Sequence, residues 1–293
     1  MKKVLFVINP KSGKGTIRTK LMQVLDIFTK AEFDTTVYIS QEKGDARRKV
    51  REDAGEYEMI VCSGGDGTLD EVISGLMDCG GHCPIGYIPA GSTNDFGNSL
   101  KIPKSIIGAA NHVVKQKEFP CDLGCFNGDY FVYIAAFGLF TEVSYETSQD
   151  MKNVLGHVAY LLEGAKKLTS IKSYHVSVEA NETIISGEFM YGMVTNSLSV
   201  GGFKNITGKH VHMDDGVFEV TLIRTPKNVI ELQEIITAFL SRMPDDKYFY
   251  QFRSSEIKME FQEAVPWTLD GEFGGEHARV EISNMERAIT ILV

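Results

Sequence analysis

Three short runs hold the residues with the clearest capacity for chemistry. Asn9-Pro10-Lys11-Ser12-Gly13-Lys14-Gly15 joins glycines, which let a backbone approach a ligand, to two lysines that can neutralise an anion. Its spacing departs from the Walker A pattern G-x4-G-K-[ST], so a phosphate loop and a plain strand-to-helix turn with surface lysines both stand. Gly64-Gly65-Asp66-Gly67-Thr68 is sharper. Its glycines permit close approach and positive φ, and an aspartate between them suits Mg²⁺ or the polarising of a hydroxyl. The plainer alternative is that Asp66 caps the following helix. Gly91-Ser92-Thr93-Asn94-Asp95-Phe96 gathers small polar groups fit for a nucleotide or its metal, or for an Asx-type turn. Three such loops together favour a nucleotide-phosphate site more than any one does alone.

The elements around these runs explain their placement. β-rich runs at 4–8, 35–39, 59–62 and 85–88 alternate with helical patterns at 16–30, 44–54 and 69–77. In the first helix Ile17, Leu21, Val24, Leu25 and Phe28 share one face. Each loop follows a strand and the first two precede a helix. This rhythm predicts a parallel α/β domain, in which ligands bind beyond the C-terminal strand ends. After Asp122 the rhythm changes to strands at 130–137, 173–179, 183–189, 190–195, 217–223, 256–261 and 279–282, with a hairpin turn at Asn127-Gly128-Asp129. Two helices interrupt them, at 153–168 and 229–242, the second with Ile230, Leu232, Ile236 and Phe239 on its apolar face. Many strands with few helices predict an antiparallel sandwich or barrel. No Pro- or Ser-rich linker marks the boundary near 120–127.

Composition narrows the function classes. The 293 residues carry 30 basic and 39 acidic side chains, a net charge of −9 that argues against a general nucleic-acid binder. Residues 1–30 nevertheless hold seven basic side chains and one acidic, net +6, which predicts a local anion site. The length favours two domains. The longest apolar stretch, 131–140, is far short of the roughly 20 residues of a membrane helix. Only five apolar residues precede Asn9 and Pro10, so the start reads as a buried strand rather than a secretory signal. Five cysteines, odd in number and sparse, suit reduced thiols in a cytosol. The C-x3-C pairs 79/83 and 121/125, with His82 inside the first, lack the spacing of zinc knuckles. His112, His157, His175, His210, His212 and His277 form no recognisable triad, and His210-x-His212 reads as alternation on an exposed strand.

Asn-Pro-x-Ser-Gly at 9–13, Gly-Gly-Asp-Gly-Thr at 64–68, Gly-x-x-Asn-Asp-Phe at 91–96 and Leu-Asp-Gly-Glu at 269–272 resemble the soluble bacterial diacylglycerol kinase / lipid kinase family in order and spacing. The likeness runs from residue 4 to nearly 290, with further matching stretches at 143–147 and from Asn196-Ser197 to Gly201-Gly202-Phe203. Gly-Gly-Asp-Gly-Thr alone is shared with NAD kinases.

The resemblance implies an NAD-kinase-like parallel α/β domain over 1–122, completed by 283–293. It further implies a lipid-substrate β-sandwich over 123–282, with the active site in the interdomain cleft. ATP would contact Asn9, Pro10, Lys11, Ser12, Gly13, Lys14, Ser40, Gly64, Gly65, Gly67, Thr68, Ser92, Asn94 and Asp95. Asp66 and Asp122 match acidic residues of the active site, joined there by the Mg²⁺ of ATP, and Glu272 matches the general base that takes the lipid hydroxyl's proton. Asp214, Asp215 and Val217 are the candidates for a structural Mg²⁺. Two positions depart from the family pattern: Glu163 stands where close relatives have a lysine, with Lys166 and Lys167 one turn on, and Asp70 replaces a common asparagine. Phe96, Phe137, Phe140, Tyr145, Tyr160 and Leu161 are candidates to admit acyl chains or to fill a core.

The expected activity is therefore an ATP- and Mg²⁺-dependent phosphoryl transfer to diacylglycerol or a related lipid alcohol. The expected setting is a cytoplasmic protein in transient peripheral contact with a membrane, binding no nucleic acid and possible as a homodimer. A kinase of a soluble acceptor such as NAD, or a nucleotide-binding regulator without turnover, are the alternatives.

Overall fold

Continuous apolar runs separated by amphipathic helices can be buried only if helices cover both faces of a sheet. The first part of the chain folds in that way. The computed structural model describes residues 1–139, 171–200, 203–204, 211–241 and 245–293. The chain divides into two units, Met1–Leu123 with Glu286–Val293, and Gly124–Met285.

The first unit runs β1 (Lys2–Ile8), α1 (Thr16–Lys30), β2 (Phe33–Ile39), α2 (Asp45–Asp53), β3 (Met59–Gly64), α3 (Asp66–Asp78), β4 (Ile85–Pro89), α4 (Asp95–Ser99) and α5 (Ile106–Val113). It then takes in the start of β5 (Glu118–Phe126) and the last residues of β15 (Glu272–Leu292). Its strands pair in parallel in the order β15-β4-β3-β1-β2, and β5 pairs with β15 besides. Val4 to Val7, Met59 to Cys62 and Ile85 are fully covered, as central parallel strands require. α1 buries Ile17, Val24 and Phe28, and the Phe28 ring meets Phe6 and Phe33 at 5.5 and 5.7 Å. Because the strands are parallel, the loops after β1, β3 and β4 all leave the same edge of the sheet. A helix follows each of the three, including the short α4 that the third loop's sequence did not announce.

The second unit is antiparallel. It holds β6 (Asp129–Phe131), β7 (Ile134–Gly138), β8 (Tyr174–Ala180), β9 (Thr183–Thr195), the small pair β10 (Ser199–Val200) and β11 (Phe203–Lys204), β12 (Phe218–Arg224), α6 (Val229–Ser241), β13 (Phe249–Ser254), β14 (Glu256–Leu269) and most of β15. β9 pairs with β8 along its first half and with β7 and β12 along its second. β14 does the same, pairing with β8 and then with β7. These two long strands therefore pass from one layer to the other, which builds a sandwich from shared strands. Phe126, Phe137, Phe189, Phe218, Phe261 and Trp267 fill the core between the layers.

Several boundaries differ from the sequence pattern. Residues 183–195 form one strand rather than two, 130–137 form two strands rather than one, and β13 had no counterpart. In α6 the buried face is Leu232, Ile235 and Ile236, while Ile230 is exposed at the first turn. The expected helix at 153–168, the stretch 143–147, Phe140, Tyr145, His157, Tyr160, Leu161, Glu163, Lys166, Lys167, Gly201, Gly202 and His210 lie outside the described residues. Among the described residues, no helix is long and apolar enough to cross a membrane.

Candidate nucleotide-phosphate site

The three strand-end loops of the first unit meet backbone to backbone. Asn9 opens the first, where its N–H donates to Ser63 O at 2.9 Å, which ties β1's exit to β3's. Its side chain works in both directions: Oδ1 accepts the Lys11 N–H at 3.0 Å and Nδ2 donates to Thr68 Oγ1 at 3.0 Å. The first loop is thus fastened to the first turn of α3. Gly13 and Gly15 both have positive φ, 53° and 64°, and Gly15 turns the chain into α1. Ser40 is buried beside the end of β1, with its N–H and Oγ directed to Ile8 O at 2.9 and 3.3 Å. Lys11 Nζ lies 3.4 Å from Gln41 O, while Lys14 and Ser92 are exposed on the loops.

The Gly64–Thr68 run differs from its sequence reading. It is not an open loop, since Gly64 ends β3, Gly65 precedes the helix and Asp66 already belongs to α3. None of its glycines has positive φ. They are needed for space. A Cβ on Gly64 would lie 2.4 Å from Thr68 Cβ, and one on Gly65 would lie 3.3 Å from Gly91 Cα and 3.4 Å from Ser12 Oγ. From the other side, a Cβ on Gly91 would lie 2.6 Å from Gly65 Cα, and one on Gly13 would lie 2.3 Å from Ala90 O. Side-chain-free backbone is the only material that fits where the three loops converge.

Asn94, at φ 52°, braces the third loop: Oδ1 accepts the Gly91 N–H at 2.9 Å and Nδ2 donates to Gly91 O at 2.8 Å. Its amide serves the loop's own backbone, as an Asx-type turn does. Asp95 opens α4 and is buried, and its N–H donates to Asp66 Oδ2 at 3.1 Å. Asp66 and Asp95 thus stand at adjoining helix starts.

This arrangement fits a nucleotide's phosphates with a divalent cation. Neither α1 nor α3 has a side-chain cap at its N-terminus, whereas α5 is capped by Ser105. First-turn N–H groups without an internal acceptor are anion donors. The glycine contacts admit backbone close to a ligand, and Asp66 with Asp95 offers hard oxygen ligands of the kind Mg²⁺ takes.

Asp122 and Glu272, the other two residues expected at the reaction, lie in different units. Asp122 is fully buried on β5, where Oδ1 accepts the Arg287 N–H at 2.8 Å, at a left-handed residue (φ 51°) of β15. Glu272 is exposed as the first residue of β15, in the second unit. It follows a two-residue hairpin turn, Asp270 (φ 52°) and Gly271 (φ 85°), with Leu269 paired to Glu272. Asp270, not singled out by sequence, anchors that turn. Its carboxylate accepts the N–H groups of Val132 at 2.6 Å, Tyr133 at 2.9 Å and Ile134 at 3.0 Å. Burial pushes this carboxyl up to about 6, against the pull of those three donors.

The Asp214-Asp215 pair precedes Gly216 (φ 76°). Asp215 Oδ1 takes the Val217 N–H at 3.4 Å and Oδ2 pairs with Arg253, whose Nε also reaches Glu219 Oε1 at 3.2 Å. Among the described residues no group of three or more His, Cys, Asp or Glu side chains could hold a metal ion. Beside the Asp214, Asp215 and Val217 candidates, the Arg253 guanidinium thus joins Asp215 to Glu219. The cysteines are free thiols.

Comparison with known proteins extends these observations over the whole chain. Residues 3–126 match the diacylglycerol kinase catalytic domain, and residues 135–293 match the YegS C-terminal NAD kinase beta sandwich-like domain. The chain is 34% identical over 278 residues to a diacylglycerol kinase of Bacillus subtilis (strain 168), covering 94% of this chain and 91% of that one. It is 34% identical over 282 residues to a diacylglycerol kinase of Staphylococcus carnosus (strain TM300), covering 94% and 90%. A solved Bacillus anthracis str. Sterne protein, provisionally named a diacylglycerol kinase, superposes with a TM-score of 0.84 at 26% identity, covering 99% of this chain and 95% of that one.

Proposed function

The chain belongs to the diacylglycerol kinase family, and from that premise we propose that it transfers the γ-phosphate of ATP, carried with Mg²⁺, to the hydroxyl of diacylglycerol or a related lipid alcohol, giving phosphatidic acid or its analogue. The enzyme class is a kinase with an alcohol acceptor. The observation that carries the nucleotide half of the reading is the convergence of Gly13, Gly65 and Gly91 beside Asp66.

In this reading the first-turn N–H groups of α1 and α3 hold the phosphates, with Lys11 and Lys14 on the same loop supplying positive charge. Asp66, fixed through the Asp95 N–H, would hold a Mg²⁺, which when bound would supply charge neutralisation for a phosphoryl transfer. Glu272, on a hairpin locked by Asp270, takes the acceptor hydroxyl's proton. Such an acceptor resides in a bilayer, so contact with the membrane is peripheral and transient.

The test is a mixed-micelle kinase assay with diacylglycerol, phosphatidylglycerol, a sphingoid base and NAD as acceptors. Phosphorylation of diacylglycerol is expected, and transfer to NAD with no transfer to any lipid would overturn the reading. Glu272→Gln should lower kcat by about 10²–10⁴ with little change in the KM for ATP, as loss of a general base does. Asp66→Asn should abolish transfer while the fold survives.

A further inference from the structure

We propose that Tyr87 is a positioning residue of the nucleotide site: its hydroxyl couples the second loop to the third and so sets where the start of α3 stands against Gly91. The proposal rests on the nucleotide reading above.

Tyr87 is the middle residue of β4, fully buried, with the apolar Ile85 and Ile88 beside it in the strand. A hydroxyl placed in such a strand costs desolvation unless it is hydrogen-bonded. Here its single O–H donates to a shared pair of acceptors, Gly64 O and Asn94 Oδ1, each 3.3 Å away. The first contact holds the last residue of β3, immediately before Gly65 and Asp66. The second holds the amide that braces Gly91, the residue that packs against Gly65. The ring is fixed from above as well, since a Cβ on Gly97 would come within 3.2 Å of its Cε1. One phenol therefore touches both sides of the seam that a phosphate would meet. Burial, with the Asp66 and Asp95 carboxylates after it, holds the phenol well above its ordinary pKa, so the O–H is a donor at every working pH.

A core tyrosine with a merely satisfied hydroxyl predicts a different outcome from a positioning one. Tyr87→Phe keeps the ring and its packing and deletes only the coupling atom. With the full chain and Mg²⁺, well below the melting temperature, mant-ATP binding followed by fluorescence should weaken by up to about tenfold, the scale of one lost hydrogen bond. The KM for the lipid acceptor should stay within about twofold. Because Tyr87 acts through Asn94, Asn94→Ala should weaken binding too, and the double variant should bind no worse than Asn94→Ala alone. A fall in melting temperature with mant-ATP affinity unchanged, or fully additive losses in the double variant, overturns the proposal. If the wild-type chain binds no mant-ATP, the nucleotide reading itself fails, a result separate from equal binding by wild type and Tyr87→Phe.

Discussion

Gly91 sets the tolerance of the site at the scale of a single residue. Its Cα faces Gly65 so closely that one added methyl would lie 2.6 Å from backbone and 2.8 Å from Asn94 Oδ1. Neither neighbour is the free end of a flexible side chain, so the loops must part. Gly91→Ala should therefore weaken ATP binding about tenfold or more and lower stability by about 1–3 kcal/mol, the usual range for overpacking. Calorimetric titration and thermal melting would measure both. Gly55→Ala is the control, because a Cβ there meets nothing within 4 Å, and it should leave both unchanged. The glycines at 64, 65, 67 and 91 were visible in the sequence as a group, but their reason was not. Positive φ is a property of one residue, whereas close approach between Gly65 and Gly91 depends on two strands that are neighbours in space. Tyr87 went unread for the same reason. Its one signal was a hydroxyl in an otherwise apolar strand.

Helix α2 is the element whose attachment is easiest to titrate. Glu71 on α3 accepts the Gly44 and Ala46 N–H groups at 2.8 and 3.1 Å, in place of a local cap. Asp45 accepts the Gln41 N–H at 2.9 Å and the Tyr38 hydroxyl at 2.8 Å, and pairs with Arg48. Arg47 grips Asp78 of α3 with a two-pronged fork at 2.8 and 3.0 Å. The Gln41 N–H holds Asp45 below the ordinary carboxylate range, and the Arg47 guanidinium does the same for Asp78. Depressed acids stabilise the fold above their unfolded pKa of about 3.9, and that contribution is lost as pH falls through the lower folded value. Asp78→Asn should accordingly cost about 0.5–1 kcal/mol at pH 7, as a part-exposed ion pair does. Its gap from the wild type in urea unfolding should close as pH falls below 4. A gap that stayed constant with pH would refute the assignment. The parallel unit was visible at this scale because its central strands β1, β3 and β4 are nearly continuous apolar runs. β9 was not, for a physical reason. Its first half is exposed or half-buried at every position and its second half is buried throughout. The change marks passage from a half-exposed layer to a covered one, and periodicity alone reads it as two strands.

Across the whole molecule the chain passes between its units inside strands, not linkers. β5 runs through the Leu123–Gly124 division and β15 through Met285–Glu286. That explains why composition showed no linker, since strand residues look the same on either side of such a crossing. The return also makes the last residues structural. Ile289, Ile291 and Leu292 are buried, and Ile291 pairs with Ile85, two residues before Tyr87 in β4. Asp122 receives the backbone of Arg287 at the bend just before them. Ile291→Ala should cost about 2–4 kcal/mol, the range for emptying a fully covered site, out of a typical total of about 5–15 kcal/mol. The loss falls on the first unit's sheet, while the single tryptophan, Trp267, lies in the core of the second. Two probes can therefore separate the units in the intact chain. On heating, Ile291→Ala should release mant-ATP at a temperature where Trp267 emission is still that of a buried indole. Simultaneous loss of both signals at the wild-type interval would show that the two units unfold as one, and that Ile291 stabilises the chain as a whole.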